Sequence, residues 1–304
     1  MTPQVSIVTP TFNRAHLLPR VWNSLSTQTL QDFQWIVVDD GSSDNTREVV
    51  AGFQDSRITY IQQDNQGCNA ARNRGDREVR AEFVVYLDSD DELYAPTTLQ
   101  EMVDAIRATT PEVAWVAFTV VDADSCTVSS FIDGPSLRAG YVDVVCEQRV
   151  KGDFLTICRR DALRISAWPP FPGGEVIRHF RIAKQRPVIY MNRPALVVHR
   201  GSGDNLVSVQ SVVKRASPMA EAMAVLIAEH HEAWREHCPC QLGRYHFVHA
   251  LYLALSVAGY RSWSDVWQAL RWGDRSTRCK ALVLALSTLL PLPVRQWLFI
   301  LRGA

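Results

Sequence analysis

No stretch of this 304-residue chain approaches the roughly 20 consecutive apolar residues that a membrane-spanning helix requires. The longest uncharged runs are 245–260 and 281–294, and Pro291 and Pro293 interrupt the second. An excess of charge is missing as well. Lys and Arg number 32 and Asp and Glu number 32, so no global field draws the molecule onto a nucleic-acid backbone, and no nucleic-acid partner is expected. Any anionic ligand must be held by a local site. Cysteine is sparse and odd in number, seven in a chain large enough to fold without staples, which predicts a reducing compartment. The first residues carry no basic segment ahead of an apolar stretch, so no secretory signal is expected and a cytoplasmic location is. There is no fixed-period repeat and no low-complexity tract, which excludes solenoids and propellers. With 47% apolar and 21% charged residues, the composition is that of a globular protein rather than a disordered one.

What is present is alternation. Short apolar runs alternate with helical patterns from the start, as in parallel strands joined by crossover helices. Strands are expected at 5–8, 35–38, 57–61 and 83–87. Leu17, Leu18, Val21, Trp22 and Leu25 recur at helical spacing, and Ser43 and Asp44 can cap a helix running to Val50. Further strands are expected at 113–121, 153–158, 187–191 and 196–200, with a short helix over 175–184. Residues 122–150 are mixed and receive no assignment beyond a turn at Gly134-Pro135. From about Val212 the period is helical throughout. The expected organisation is an α/β domain with a mostly parallel central sheet over 1–211, and a helical region over 212–304.

Each early strand ends in polar residues, and open parallel sheets bind ligands beyond the carboxyl ends of their strands. Thr9 to Arg14, Asp39 to Ser42 and Asp88 to Asp91 therefore converge on one rim. Asp88 and Asp90 are two apart, so both face one side of an extended segment. Paired carboxylates suit a hard divalent cation, Mg²⁺ or Mn²⁺, shared with substrate phosphates. The same acids can instead cap the helix beginning near Pro96. Asp39 can accept an imide N–H of uracil or thymine, or a ring N–H of guanine, while Asp40 suits an Asx-turn. In 65–75, small residues at a helix start precede Arg72, and free N–H groups with a guanidinium fork suit a diphosphate. The alternative is a helix packed closely through Ala70 and Ala71, with Arg72 in an internal ion pair.

VSIVTPTFNR, VVDDGSSD, NQGCNAARNRG and YLDSDDELY, in that order and spacing, resemble the family-two glycosyltransferases of GT-A type. The likeness continues in GGEVIRHFRIAK and LVVHRGSGDNLVS. The resemblance implies a GT-A Rossmann-like fold and inverting transfer of a sugar from a nucleotide-diphosphate donor, UDP-sugar favoured, to an acceptor hydroxyl. It further implies a divalent cation (Mn²⁺ or Mg²⁺) and a glycan or lipid-linked acceptor in polysaccharide or glycolipid synthesis. By position, Pro10, Thr11, Asn13, Arg14 and Asp39 match residues that hold the nucleoside, Arg72 one near the diphosphate, and Asp88 one facing the ribose. Asp90 matches the metal ligand, His199 a position that reaches metal or phosphate, and Glu175 the general base. The family's acidic pair is here a single acid, preceded by Gly173 and Gly174, and Asp153 is the alternative base. Two other classes fit the same motifs: a nucleotide-sugar-binding protein without transfer activity, and a sugar nucleotidyltransferase.

Three features lie outside these motifs. Trp168 to Pro172 can form an aromatic loop beside an acceptor or a proline-fixed packing element. His230, His231, His237, Cys238, Cys240, His246 and His249 match no common zinc spacing, and are expected as half-buried side chains around a loop between two helices. From Leu270 on, Arg271, Arg275, Arg278, Lys280, Arg295 and Arg302 face a single acid, Asp274, around an apolar stretch. Such an end suits either peripheral contact with a membrane, at its inner face, through 270–304, or a helix packed over its own core with a solvated basic edge.

Overall fold

The computed structural model describes residues 2–146, 149–199, 209–256 and 262–303. The chain divides into two compact units, Met1–Pro170 with Arg178–Ser202, and Phe171–Ile177 with Gly203–Ala304.

The first unit begins with the expected alternation: β1 (Val5–Thr11), α1 (Leu18–Ser26), β2 (Phe33–Asp39), α2 (Thr46–Gly52), β3 (Ile58–Gln62), α3 (Cys68–Asp76) and β4 (Phe83–Tyr86). Every residue of β1 and β2 is buried, which is why these strands read as unbroken apolar runs. Their parallel register sets Thr11 opposite Asp39, so the polar ends of the two strands are level. Side chains alternate between two cores. Val5, Ile7, Trp35, Val37 and Phe83 pack with Leu18, Val21 and Leu25 of α1, while Val8, Ile36, Val38 and Val84 pack with Ala71 of α3. α3 comes close to the sheet at Gly75, where an added Cβ would stand 2.5 Å from Val8 Cγ1.

The unit continues with β5 (Glu92–Leu93), α4 (Thr98–Arg107), β6 (Trp115–Asp122), β7 (Phe131–Ile132), β8 (Ser136–Ala139), α5 (Tyr141–Cys146), β9 (Val150–Lys151), β10 (Phe154–Arg159), a 3₁₀ turn, α6 (Gly174–Ala183) and β11 (Val188–Val198). The division between units falls inside α6. The sheet order is β3-β2-β1-β4-β10-β6-β11-β5, with β8 also on β11. β10 runs antiparallel between β4 and β6, and β6 and β11 are parallel. The two strands expected at 187–191 and 196–200 are one strand, irregular between Met191 and Leu196. Pro194 lies inside that irregularity; it has no N–H to give the ladder, so the strand bulges instead of ending. Arg200, with the rest of 200–208, lies outside the described residues.

The second unit is helical beyond residue 208: α7 (Val209–Lys214), α8 (Ala216–His237), α9 (Pro239–Leu255), α10 (Trp263–Trp272), α11 (Arg275–Ser287) and α12 (Leu292–Gly303). Instead of the expected loop, Cys238 alone joins α8 to α9, because Pro239 at the first position of α9 needs no hydrogen-bond partner. Trp234 stacks on Tyr245 at 4.2 Å between ring centres. Ala250, Ala254, Val266, Ala269, Ala281, Leu284 and Ala285 form a core of mostly small side chains. His246 Nδ1 and His249 Nδ1 both approach Asp265 Oδ1, at 2.6 and 3.1 Å. Among the described residues no helix is long and apolar enough to cross a membrane.

Candidate active site

The carboxyl ends of β1, β2 and β4 carry the candidate residues, and hydrogen bonds tie their loops together. Asn13 adopts φ +53°, a left-handed conformation that Asn tolerates better than most residues. Its N–H donates to Ser42 Oγ at 2.8 Å, and its Oδ1 accepts from Ser43 N at 2.8 Å, pinning the loop after β1 to the loop after β2. Ala15 N donates to Asp44 Oδ2, and Asp44 Oδ1 accepts from Thr46 N, so Asp44 also secures the start of α2. Pro10 lies buried in β1 opposite Val38. Thr11 is also buried; its carbonyl accepts from Asp40 N at 2.8 Å, while its Oγ1 has no hydrogen-bond partner among the described residues.

The two aspartates ending β2 divide the work differently from the sequence reading. Asp39, 1% exposed, makes the local turn, accepting from Ser42 N at 2.8 Å and from the Tyr60 hydroxyl at 2.5 Å. Burial and then the bond to Asp39 push the Tyr60 phenol above its usual range, so Tyr60 remains a donor. Each Asp39 oxygen keeps acceptor capacity beyond that one bond. Asp40 is not merely an Asx-turn residue. It accepts from Gln63 Nε2, Gln66 N and Gly67 N at 2.7, 2.9 and 2.7 Å, and so fixes the loop that opens α3. Gly41 at φ +84° lets that loop close in, since a Cβ there would stand 3.0 Å from Asn65 N.

Arg72 and Asp88 meet at 2.8 Å, and Arg72 also donates to Asn69 Oδ1 at 3.1 Å. The internal ion pair considered for Arg72 is therefore present. The Asp88 side chain remains 45% exposed. Arg14 holds Asp90 Oδ2 at 2.8 Å, and Arg20 donates to the Asp90 carbonyl. Between them the acids are crowded: burial first, then the charges of Asp88 and Asp90, push the Asp91 carboxyl up to about 8. His199 Nε2 lies 2.8 Å from Glu92 Oε1, across the β5–β11 pair, and not on Asp90. Among the described residues no three His, Cys, Asp or Glu side chains form a ready cage for a metal.

Trp168 is a packing residue. It is 5% exposed, meets Tyr86 edge-on at 4.7 Å, and has the guanidinium carbons of Arg178 and Arg72 over its ring at 4.2 and 4.7 Å. Asn73 clamps its backbone through two bonds of 2.8 Å. Arg178, 1% exposed, also donates to Ser166 O and Tyr86 Oη. The sequence reading missed Arg178 and Tyr60, which lie outside the rim motifs; no periodic signal marks Arg178, whose neighbours one turn away are Gly174, Glu175, Arg181 and Ile182. Glu175 occupies the first turn of α6, in the second unit. Its approach is set by Gly173 at φ +74°, and Gly174 N donates to Phe171 O at 3.0 Å.

Residues 6–129 match the sequence model of glycosyl transferase family 2. The GalNAc(5)-diNAcBac-PP-undecaprenol beta-1,3-glucosyltransferase of Campylobacter jejuni is 44% identical over 95 residues, 30% of this chain and 31% of the relative. The validoxylamine A glucosyltransferase of Streptomyces hygroscopicus subsp. jinggangensis is 45% identical over 92 residues, 29% of this chain and 22% of the relative. The alignments span less than half the length of these curated relatives. Among solved structures, S. aureus TarS in complex with UDP-GlcNAc superposes with a TM-score of 0.65 at 15% identity, over 94% of this chain and 90% of that one. The mannosyltransferase PcManGT of Pyrobaculum calidifontis, in complex with GDP-Man and Mn²⁺, gives 0.56 at 18% identity, over 99% of this chain and 84% of that one. The α/β fold is thus that of known glycosyltransferases. The segment that carries Asn13, Asp39, Arg72 and Asp88 to Asp90 is the part of the chain that matches glycosyl transferase family 2.

Proposed function

We propose that this chain transfers a sugar, with inversion, from a nucleoside-diphosphate sugar to an acceptor hydroxyl, and that the donor is a UDP-sugar. The observation that carries the reading is the convergence of Asp39, the Arg72–Asp88 pair and the Arg14–Asp90 pair on one sheet rim. Asp39 would accept a base N–H, Asn13 and Thr11 would line the nucleoside, and Asp88 would face the ribose. Arg72 would bind the diphosphate through its fork.

The neighbouring carboxylates of Asp88 and Asp90 would suit a hard cation, their charges adding to the burial that raises the Asp91 carboxyl. Asp90 would hold Mn²⁺ or Mg²⁺, which supplies charge stabilisation to the departing nucleoside diphosphate. Arg14 would then exchange Asp90 for phosphate oxygens. His199 joins that set only by leaving Glu92. Glu175 would take the proton of the acceptor hydroxyl as it attacks, and a single displacement needs no covalent intermediate.

The acceptor is proposed to be a glycan or a lipid-linked saccharide of a cell-surface pathway, met at the inner face of the membrane; the Campylobacter relative is named for an undecaprenol-linked substrate. A panel of nucleotide sugars with Mn²⁺ or Mg²⁺, read by nucleotide release, tests the whole reading. Release of UDP from one donor is the expected result. Donor binding with no release under any acceptor would make this a binding protein, and consumption of a sugar phosphate with release of pyrophosphate would make it a nucleotidyltransferase.

A further inference from the structure

The outer faces of α10 and α11 are the wrong chemistry for water. Both helices turn small residues inward, Val266 and Ala269 from α10, and Ala281, Leu284 and Ala285 from α11. A helix packed this way should present polar residues on its other side. Instead α10 exposes Trp263 and Trp267, one turn apart, the second at 66%. α11 and the residues just after it expose Leu282, Val283, Leu286 and Leu289, the last two at 69% and 75%. The solvated basic edge that would explain this end as ordinary packing is confined to the α10–α11 junction and the first turns of α11.

That junction is cationic. Arg271, Arg275, Arg278 and Lys280 are all exposed, and Asp274 is the sole acid from residue 266 onward. Asp274 is already engaged, accepting from Thr277 N at 2.7 Å as the cap of α11 and pairing with Arg244 at 3.1 Å. Four cations therefore border an apolar surface without acids of their own. Covering this surface with a second copy in a two-fold dimer would set the same cations against themselves. A surface of anionic headgroups neutralises them, accepts the leucines below, and suits tryptophan rings, whose apolar body and N–H favour the headgroup level.

We propose that the exposed faces of α10 and α11 dock this protein on a bilayer containing anionic lipid, with Trp263, Trp267, Leu282, Val283, Leu286 and Leu289 inserted and the junction cations on headgroups. The contact is peripheral, and its centre lies earlier in the chain than the 270–304 segment that the sequence singles out. The inference goes beyond sugar transfer and does not depend on it.

Co-sedimentation of the full chain with phosphatidylcholine vesicles, with and without phosphatidylglycerol, tests the proposal without any activity assay. The wild-type chain should partition onto the mixed vesicles. The double substitution Leu286→Ser with Leu289→Ser should weaken partitioning by about tenfold or more, and Trp263→Ser with Trp267→Ser should do the same. Arg275→Gln with Arg278→Gln should cost about fivefold per charge on mixed vesicles and little on neutral ones. All six positions are exposed, so the variants should keep the wild-type melting temperature. Absence of wild-type binding, or equal binding by wild type and every variant, overturns the proposal. So does a dimer in sedimentation velocity that the leucine substitutions dissolve while no vesicle is bound, because a second copy would then cover the face.

Discussion

At the scale of single residues, the proposed function assigns charge handling to Asp90 and proton handling to Glu175, and the two can be tested apart. Asp90→Asn removes the carboxylate that Arg14 now holds and should abolish stimulation of nucleotide release by Mn²⁺; stimulation of the same size would take Asp90 out of the site. Glu175→Gln should lower kcat by about 10²–10⁴-fold while leaving the donor KM within about twofold, because a general base acts on the acceptor in the transition state. Steady-state rates against donor concentration decide this, and an unchanged kcat would return the role to another acid such as Asp153. A third residue sets a pH dependence. Burial, then the cations of Arg178 and Arg72, push the His179 imidazole down to about 4. With a folded value below the unfolded one, the unfolded chain binds the extra proton, so this contribution is complete above about 6.5 and is lost as pH falls toward 4. His179→Phe should flatten the fall of Tm across that window, measured by calorimetry at several pH values, and an equally steep fall would exclude His179 as its source. Asp39 and Asp40 mark the limit of legibility at this scale. A carboxylate after a buried strand reads as a ligand or a turn, and which of two neighbours does which is decided by long-range partners, Tyr60 for one and Gln63 to Gly67 for the other.

At the scale of elements, α3 is held where Arg72 can meet Asp88 by the absence of a side chain at Gly75. A methyl group there would stand 2.5 Å from Val8 Cγ1 and 3.3 Å from Val38 Cγ2, so Gly75→Ala should force the helix off the sheet at a cost of about 1–3 kcal/mol. Donor KM should rise with it, since the displaced helix carries Arg72. Val8→Ala in the same chain should recover part of both effects, and a double-mutant cycle in Tm and KM checks the coupling; strict additivity would mean that Val8 is not what the methyl group meets. Three of the strands that were readable in sequence share one property. β1, β2 and β4 are buried on both faces and appear as continuous apolar runs, with boundaries extended by burial of Thr9 and Thr11. The elements that were not readable lack it. The described residues of 122–151 include pieces such as β7 and β9, two residues each, too short for a period to register. β11 reads as two strands because Pro194 looks like a stop, and only its pairing with β6 on both sides of the proline shows it to be one. The α8–α9 joint reads as a loop because Cys, Pro and Cys suggest a turn, whereas Pro239 begins a helix.

For the molecule as a whole, equal numbers of acids and bases mean that an anionic ligand has to be captured by a local site and not by a long-range field. The sequence foretold this balance and the α/β-then-helical order, but not the apolar outer faces of α10 and α11, because whether a helical leucine points inward depends on which neighbour the helix packs against. Ligand-linked stability then offers a measurement that needs no acceptor. A ligand bound only by the folded chain, at about a hundred times its Kd, adds about 2.7 kcal/mol, enough to move Tm by several degrees. UDP with Mn²⁺ should produce such a shift, UDP with a chelator a smaller one, and UMP with Mn²⁺ a smaller one again, since the proposed contacts of Arg72 and Asp90 are with the diphosphate. Asp90→Asn should erase the part that depends on Mn²⁺, and Asp39→Asn should reduce the advantage of UDP over ADP. Because the contacts are local, and the Asp39 oxygens in particular are shielded from solvent, raising NaCl through the physiological range should change the apparent Kd by less than about threefold. A steep loss of affinity with salt, equal for every nucleotide and indifferent to the Asp90 substitution, would mean that phosphate is held by exposed arginines elsewhere and that the rim of β1, β2 and β4 is not the donor site.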